Sequence, residues 1–152
     1  MAVQVQLEDF NVNDALQTLR ANNPNVGAIV SFVGLVRDIN EGDAVNTLTL
    51  EHYPGMTEKA LSAIIENAKT RWNVIDALVI HRVGTLKPCE QIVLVAVTSA
   101  HRGEAFKACE FIMDYLKTQA PFWKKESIHQ NGETQTRWIE PKDSDDAAQA
   151  RW

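Results

Sequence analysis

The chain has 152 residues, a formal net charge of −5 and 45% hydrophobic content, which suits one globular domain with a sizeable core. The acidic balance disfavours nucleic acid or an anionic membrane surface as the main partner. No apolar run approaches the ~20 residues of a membrane-spanning helix, and the Met-Ala-Val-Gln-Val-Gln start lacks the basic and apolar regions of a signal peptide, so a cytoplasmic protein is expected. Cys89 and Cys109 stand far apart without a CxxC or a His/Cys cluster. Neither a zinc site nor a disulfide framework is indicated.

Val3 and Val5 alternate with glutamines as in a short strand, and Asn11 or Asn13 can cap a helix that turns Ala15, Leu16 and Leu19 inward. Val26 to Val33 reads as a buried strand between Gly27 and Gly34 that delivers Val36 and Arg37 to a polar loop, Asp38 to Ala44. Thr47 to His52 alternates as a half-buried strand does, and Pro54-Gly55 signals a turn. Thr57 then caps a helix reaching Lys69, with Ala60, Leu61, Ile64, Ile65 and Ala68 on one face and Trp72 closing it. Val74 to His81 and the valine-dense Gln91 to Thr98 are strands able to pair as a hairpin. Ser99 is placed to cap a helix from Arg102 to Thr118, in which Phe106, Cys109, Ile112, Met113 and Leu116 recur at three- and four-residue steps. Glu126 to His129 and Thr136 to Glu140 flank Asn131-Gly132 as a second hairpin, and residues 140–152 form a polar tail. The order predicts an α+β fold with a largely antiparallel sheet and about three helices, a single domain over residues 1–152.

The chemistry concentrates where the long helix stops. Pro121 biases Ala120 away from helical geometry, so Lys117 lies in the last turn and Lys124 beyond the break, able to converge with it from another element. The structural alternative is that Lys117 complements the helix dipole while Phe122 and Trp123 pack the helix end. Further cations sit at element ends: Arg37 after a strand, and His101-Arg102 at a helix N-terminus suited to a phosphate. A lysine close to other cations gives up its proton more readily, and a neutral amine serves as base or nucleophile. His52, His81 and Arg82 read as hydrogen-bonding groups between strands. No GxxxxGK[ST], GxGxxG or GxSxG is present, and neither cysteine has an activating environment.

Four blocks carry a resemblance: Glu51-His52-Tyr53-Pro54-Gly55-Met56-Thr57, Ile80-His81-Arg82-Val83-Gly84, Thr98-Ser99-Ala100-His101-Arg102, and Lys117 to Glu126. In content and order, from about Val26 onward, they resemble the molybdopterin synthase catalytic (large) subunit family, MoaE. The first 25 residues match weakly and receive no function. The resemblance implies an α/β hammerhead-type fold and a homodimer that binds two small ubiquitin-like sulfur carrier subunits as a heterotetramer. It implies that sulfur passes from the thiocarboxylate on the carrier's C-terminal Gly-Gly to cyclic pyranopterin monophosphate, forming the molybdopterin dithiolene. The family's substrate-contacting positions fall on Leu35, Val36, Arg37, His101, Arg102, Lys117, Lys124, Lys125 and Glu126, with Lys117 and Lys124 as the catalytic pair, and Phe32 and Met113 match pocket-lining positions. No cofactor or metal is implied. At the level of residue types two further readings stay open, a docking module for a ubiquitin-like partner and an enzyme acting on another phosphorylated metabolite.

Overall fold

The computed structural model describes residues 2–40, 43–130, 133–139 and 143–152. Two sheets organise the chain. The first has the order β1-β5-β7-β2, built from β1 (Val3–Gln6), β2 (Ala28–Leu35), β5 (Val74–Arg82) and β7 (Gln91–Ser99). Only β1 and β5 run parallel; β5–β7 and β2–β7 are antiparallel. The second contains β3 (Ile39–Asn40), β4 (Asp43–His52), β8 (Phe122–Gln130) and β9 (Glu133–Trp138) in that order, with β6 (Gly84–Leu86) also paired to β4. The mixed, largely antiparallel architecture agrees with the sequence reading.

Helices cover the first sheet on both faces, and the strand pleat explains which residues meet which helix. Ala77 and Val79 of β5, with Val93, Val95 and Val97 of β7, pack against α2 (Met56–Arg71) and α3 (Arg102–Gln119) through Leu61, Ile65, Ala108, Ile112, Met113 and Leu116. The alternate residues Leu78, Ile80, Leu94 and Ala96 face α1 (Val12–Arg20) through Leu16 and Leu19. A strand covered twice has no polar face to show, which is why β7 is buried continuously from Val93 to Ser99. Close approach is needed at Gly27, where an added Cβ would fall 2.2 Å from the Ala100 carbonyl oxygen.

Several details differ from the sequence reading. The Asp38 to Ala44 loop instead supplies β3 and the start of β4, and Gly42 lies outside the described residues. Asn131-Gly132 also lies outside them, although β8 and β9 pair on either side as expected. Gly55, not Thr57, is the cap of α2. There Glu58 accepts from the Gly55 N–H at 2.9 Å, while the buried Thr57 hydroxyl donates to the Tyr53 carbonyl at 2.9 Å. Ser99 ends β7, where its hydroxyl donates to Asn73 O at 2.7 Å, and His101 occupies the cap position of α3. Phe106 is exposed; Ala105, Ala108 and Phe111 complete the buried face of α3 in its place. A fourth described helix, α4 (Asp143–Ala150), forms within the segment read as a polar tail, its three aspartates in the first turn where the dipole favours them. It leads to Trp152, which packs edge-on against Trp72 and Phe111.

Candidate functional site

The second sheet meets the first where β8 begins. In β4 and β8 the register pairs His52 with Phe122, Leu50 with Lys124 and Leu48 with Glu126, so these six side chains share one face of the sheet. Leu48, Leu50, Glu126 and Ile128 are buried, which identifies this as the inner face. Lys124 is half-buried on it. Lys125 points the other way, with its ammonium 3.6 Å from Glu51 and 5.4 Å from the centre of the Trp138 ring.

Phe122 stacks on His81 of β5 with ring centres 3.8 Å apart and planes 18° from parallel. His81 has the same pleat parity as Ala77 and Val79, so it lies on the α3 side of the first sheet. The ring is 2% exposed and its Nδ1 is 2.8 Å from the Arg82 carbonyl. A carbonyl only accepts, so Nδ1 carries the hydrogen and the neutral ring keeps a lone pair on Nε2. Burial pushes the His81 pKa down to about 3; the Arg82 carbonyl opposes this, and the charges of Lys124, Lys117 and His52 reinforce it. Lys117 and Lys124 thus bring their charges to bear on one buried imidazole.

Lys117 is exposed in the last turn of α3, where the Thr118 hydroxyl and the Gln119 amide both donate to Gln149 of α4, at 3.1 and 3.3 Å. Met113, one turn earlier, is buried in the core beneath the helix. Phe32 lies on the same side of the first sheet, opposite Val95, and is 42% exposed. Gly34 makes room for it: a Cβ there would fall 2.9 Å from Val93 Cγ1 and 3.4 Å from the Phe32 ring. The register shift between Gly34 and Leu35 turns Leu35 outward, whereas Val36 is buried and exchanges backbone hydrogen bonds of 2.9 Å with Glu90 and Cys89. Arg37 follows, exposed.

His101 and Arg102 are not part of this cluster within one chain. Leu35 pairs with Gln91 and Ala28 with Ser99, so Arg37 stands at the start of β7 and His101 beyond its end. Along α3, the 15 residues from Arg102 to Lys117 rise ~22 Å. Lys117, Lys124 and Arg37 occupy one end of the first sheet; His101 and Arg102 occupy the other.

Glu126 is 2% exposed, and the Nε–H of its cross-strand partner Arg137 donates to it at 2.6 Å. Arg82 is also held structurally, donating to Leu7 O and Gln91 O at 3.0–3.2 Å and so fixing the segment after β1 to the start of β7. His52 differs. Its Nδ1 lies 3.8 Å from Glu58 Oε1, and both atoms are buried without a hydrogen-bond partner. Burial pushes the Cys109 thiol up to about 12, which fits a core residue and not a nucleophile. The functional reading of the sequence passed over His81; its parity with Ala77 and Val79 was the available signal.

Residues 5–119 match the MoaE protein family. This chain belongs to the MoaE family. The molybdopterin synthase catalytic subunit of Ralstonia nicotianae is 58% identical over 150 residues, spanning 99% of this chain and 83% of that protein. Among solved structures, molybdopterin cofactor biosynthesis protein E from Burkholderia multivorans superposes with a TM-score of 0.82 at 54% identity, covering 99% of this chain and 95% of that one. A complex of subunits 1 and 2 of molybdopterin-converting factor from Helicobacter pylori contains a chain that superposes at 0.71 with 21% identity, covering 88% of each, a likeness of fold alone. No described helix of this MoaE protein is long and apolar enough to cross a membrane.

Proposed function

We propose that the chain is the catalytic subunit of a cytoplasmic molybdopterin synthase, moving sulfur from a thiocarboxylated ubiquitin-like carrier to cyclic pyranopterin monophosphate. The observation that carries this is the match to this family, together with the placement of Lys117 at the end of α3 and Lys124 on the inner face of β8, two residues beyond the Phe122 that stacks on His81. Two lysines at one end of the sheet suit an anion site, and both reactants bring negative charge to it: a thiocarboxylate and a cyclic phosphate.

In this reading Lys117 assists at the thiocarboxylate as acid, base or covalent partner, and Lys124 and Arg37 bind negative charge. Phe32 and Met113 line the approach, with Leu35, Val36, Lys125 and Glu126 contributing through backbone, rim and strand placement. The carrier subunit fits this family as the companion of the catalytic chain, as in the Helicobacter complex of two subunits. His101 and Arg102 stand ~22 Å away along α3, so their role at the same substrate requires a second copy of the chain. We therefore read the assembly as a homodimer carrying two carrier subunits, in which each site takes His101 and Arg102 from the partner copy. Holding carrier tail and pterin together replaces a bimolecular encounter with an oriented one.

The test is to incubate the purified protein with thiocarboxylated carrier and cyclic pyranopterin monophosphate, following molybdopterin through the fluorescence of its oxidised derivative. Wild-type protein forms product; Lys117→Ala, with unchanged circular dichroism, loses at least about a hundredfold in rate. Near-normal turnover by Lys117→Ala would remove the lysine from the mechanism. Absence of product from wild-type protein that still binds the carrier would make the chain a docking module.

A further inference from the structure

Pro121 leaves the turn that carries Lys117 short of backbone support. A helix carbonyl accepts from the N–H four residues ahead, and for Lys117 that residue is Pro121, which has none. Support for this turn comes from outside the helix. The Thr118 hydroxyl and the Gln119 side-chain amide, which follow Lys117 directly, both reach Gln149 Oε1 of α4, at 3.1 and 3.3 Å. The hydroxyl also faces the Asp114 and Tyr115 carbonyls of its own helix, at 3.2 and 3.5 Å, so Gln149 is its partner from another element. This contact is one end of a longer one. Glu110, Asp114 and Thr118 follow at four-residue steps along one stripe of α3. The chain from Gln149 to Trp152 lies along that stripe: Arg151 donates to Glu110 and Asp114, and the Trp152 indole N–H donates to Asp114. Trp152 is anchored in turn, its carbonyl accepting from Arg71 at 2.7 Å and its ring packing edge-on against Trp72 and Phe111.

We propose that Gln149 is a positioning residue for Lys117, and that the segment from Gln149 to Trp152 is the strap through which it acts. The inference rests on the sulfur-transfer reading of Lys117. A lysine side chain takes its origin and first direction from its Cα, and a frayed last turn would spread both over several conformations. A displacement of ~1 Å at a reacting group can cost about a hundredfold in rate, so a firm turn matters more to turnover than to the fold. The pairing of Asp114 serves the same end. Asp114 stands three residues before Lys117, a neighbour on the helix surface, and Arg151 and Trp152 engage the carboxylate that would otherwise compete with the anionic substrates for the lysine. Trp152 secures the strap among the aromatic rings of the core, and Gln149 carries that hold to the turn. The two tasks are separable, because Gln149 is only half-buried and packs at the helix end.

The assembled synthase, with thiocarboxylated carrier and cyclic pyranopterin monophosphate, tests this through Gln149→Met, which keeps the length and helix propensity of the side chain and removes its acceptor. The expected result is a kcat lower by about fivefold to thirtyfold, with KM for the pterin within about twofold and the urea midpoint unchanged. In a Lys117→Ala background the same substitution is expected to slow the residual turnover by less than about twofold, because a residue that acts through Lys117 has nothing left to position. A Gln149→Met enzyme at the wild-type rate, or one that loses the same factor with and without Lys117, overturns the proposal. A second measurement needs no turnover. Backbone amide exchange along α3 is compared between wild-type and Gln149→Met protein, each bound to a carrier ending in a plain carboxylate. The amides of Leu116 to Gln119 are expected to exchange at least about fivefold faster in the variant, with those of Ala108 to Ile112 unchanged. Equal exchange in the last turn, or faster exchange along the whole helix, overturns the hold. Should wild-type synthase form no product, the sulfur-transfer reading fails, and the exchange comparison still decides whether Gln149 holds the turn of Lys117.

Discussion

Lys124 and Lys125 are adjacent on one strand, and the pleat sends them to different surroundings. Lys124 shares the inner face of β8 with Glu126 and with Phe122, whose ring stacks on the buried His81 imidazole. Lys125 lies on the outer face between a carboxylate and a tryptophan ring, in contacts that need no ligand. The contrast teaches that a run of cations is no guide to a site until the strand register is known. On β8 alternate residues divide between two surroundings, one face turned to the core and the other to solvent.

The contrast breaks most sharply at Lys124. Lys124→Ala is expected to lower molybdopterin formation by about a hundredfold or more with little change in the urea midpoint, and a loss below about threefold would erase the distinction between the two faces. Glu126→Gln comes next and acts on stability: it leaves the Arg137 guanidinium without its buried counter-charge, at a cost of about 2 kcal/mol in urea unfolding, the partial exposure of Arg137 softening the effect. An unchanged midpoint would show that the pair contributes nothing to holding β8 on β9.

His81 gives a pH test of the inner face. Its folded pKa of about 3 lies below the ordinary 6.5, so the unfolded chain binds the extra proton first as pH falls. The contribution is fully present above pH 6.5 and is lost progressively towards pH 3, at up to ~1.4 kcal/mol per pH unit. Urea unfolding at pH 7, 6 and 5 should therefore have a flatter pH dependence in His81→Gln than in wild type; equal slopes would mean that the ring charges in the folded protein. The smallest effect is expected at Lys125→Ala, where an exposed ion pair is removed. Turnover should stay within about threefold and stability within about 0.5 kcal/mol.

Much of this was legible in the sequence because the signals were local. The three- and four-residue spacing and Pro121 gave α3 within one residue at its end, and the apolar alternation gave the strands. Phe106 was misplaced because the stripe of small residues Ala105 and Ala108 carries the helix against β2 and β7, turning Phe106 out. The segment after Pro141 looked merely polar because what holds α4 lies far away in sequence: Gln149 meets Thr118, and Trp152 meets Trp72 and Phe111. The placement of Lys117 in the last turn of α3 and of Lys124 beyond the Pro121 break was visible from the helix stop. The His81–Phe122 stack was not, since it joins strands of different sheets and no residue spacing encodes that meeting. The separation of His101 and Arg102 from Lys117, by contrast, follows from the length of α3 alone.

That length has a genetic consequence. In the two-copy assembly proposed above, a chain lacking Lys117 and a chain lacking Arg102 are each inactive with themselves. Expressed together they form mixed pairs, in which one site collects both defects and the other collects none. Two null alleles should then complement each other in the same cell, and the ~22 Å spanned by one helix is what makes the defects separable.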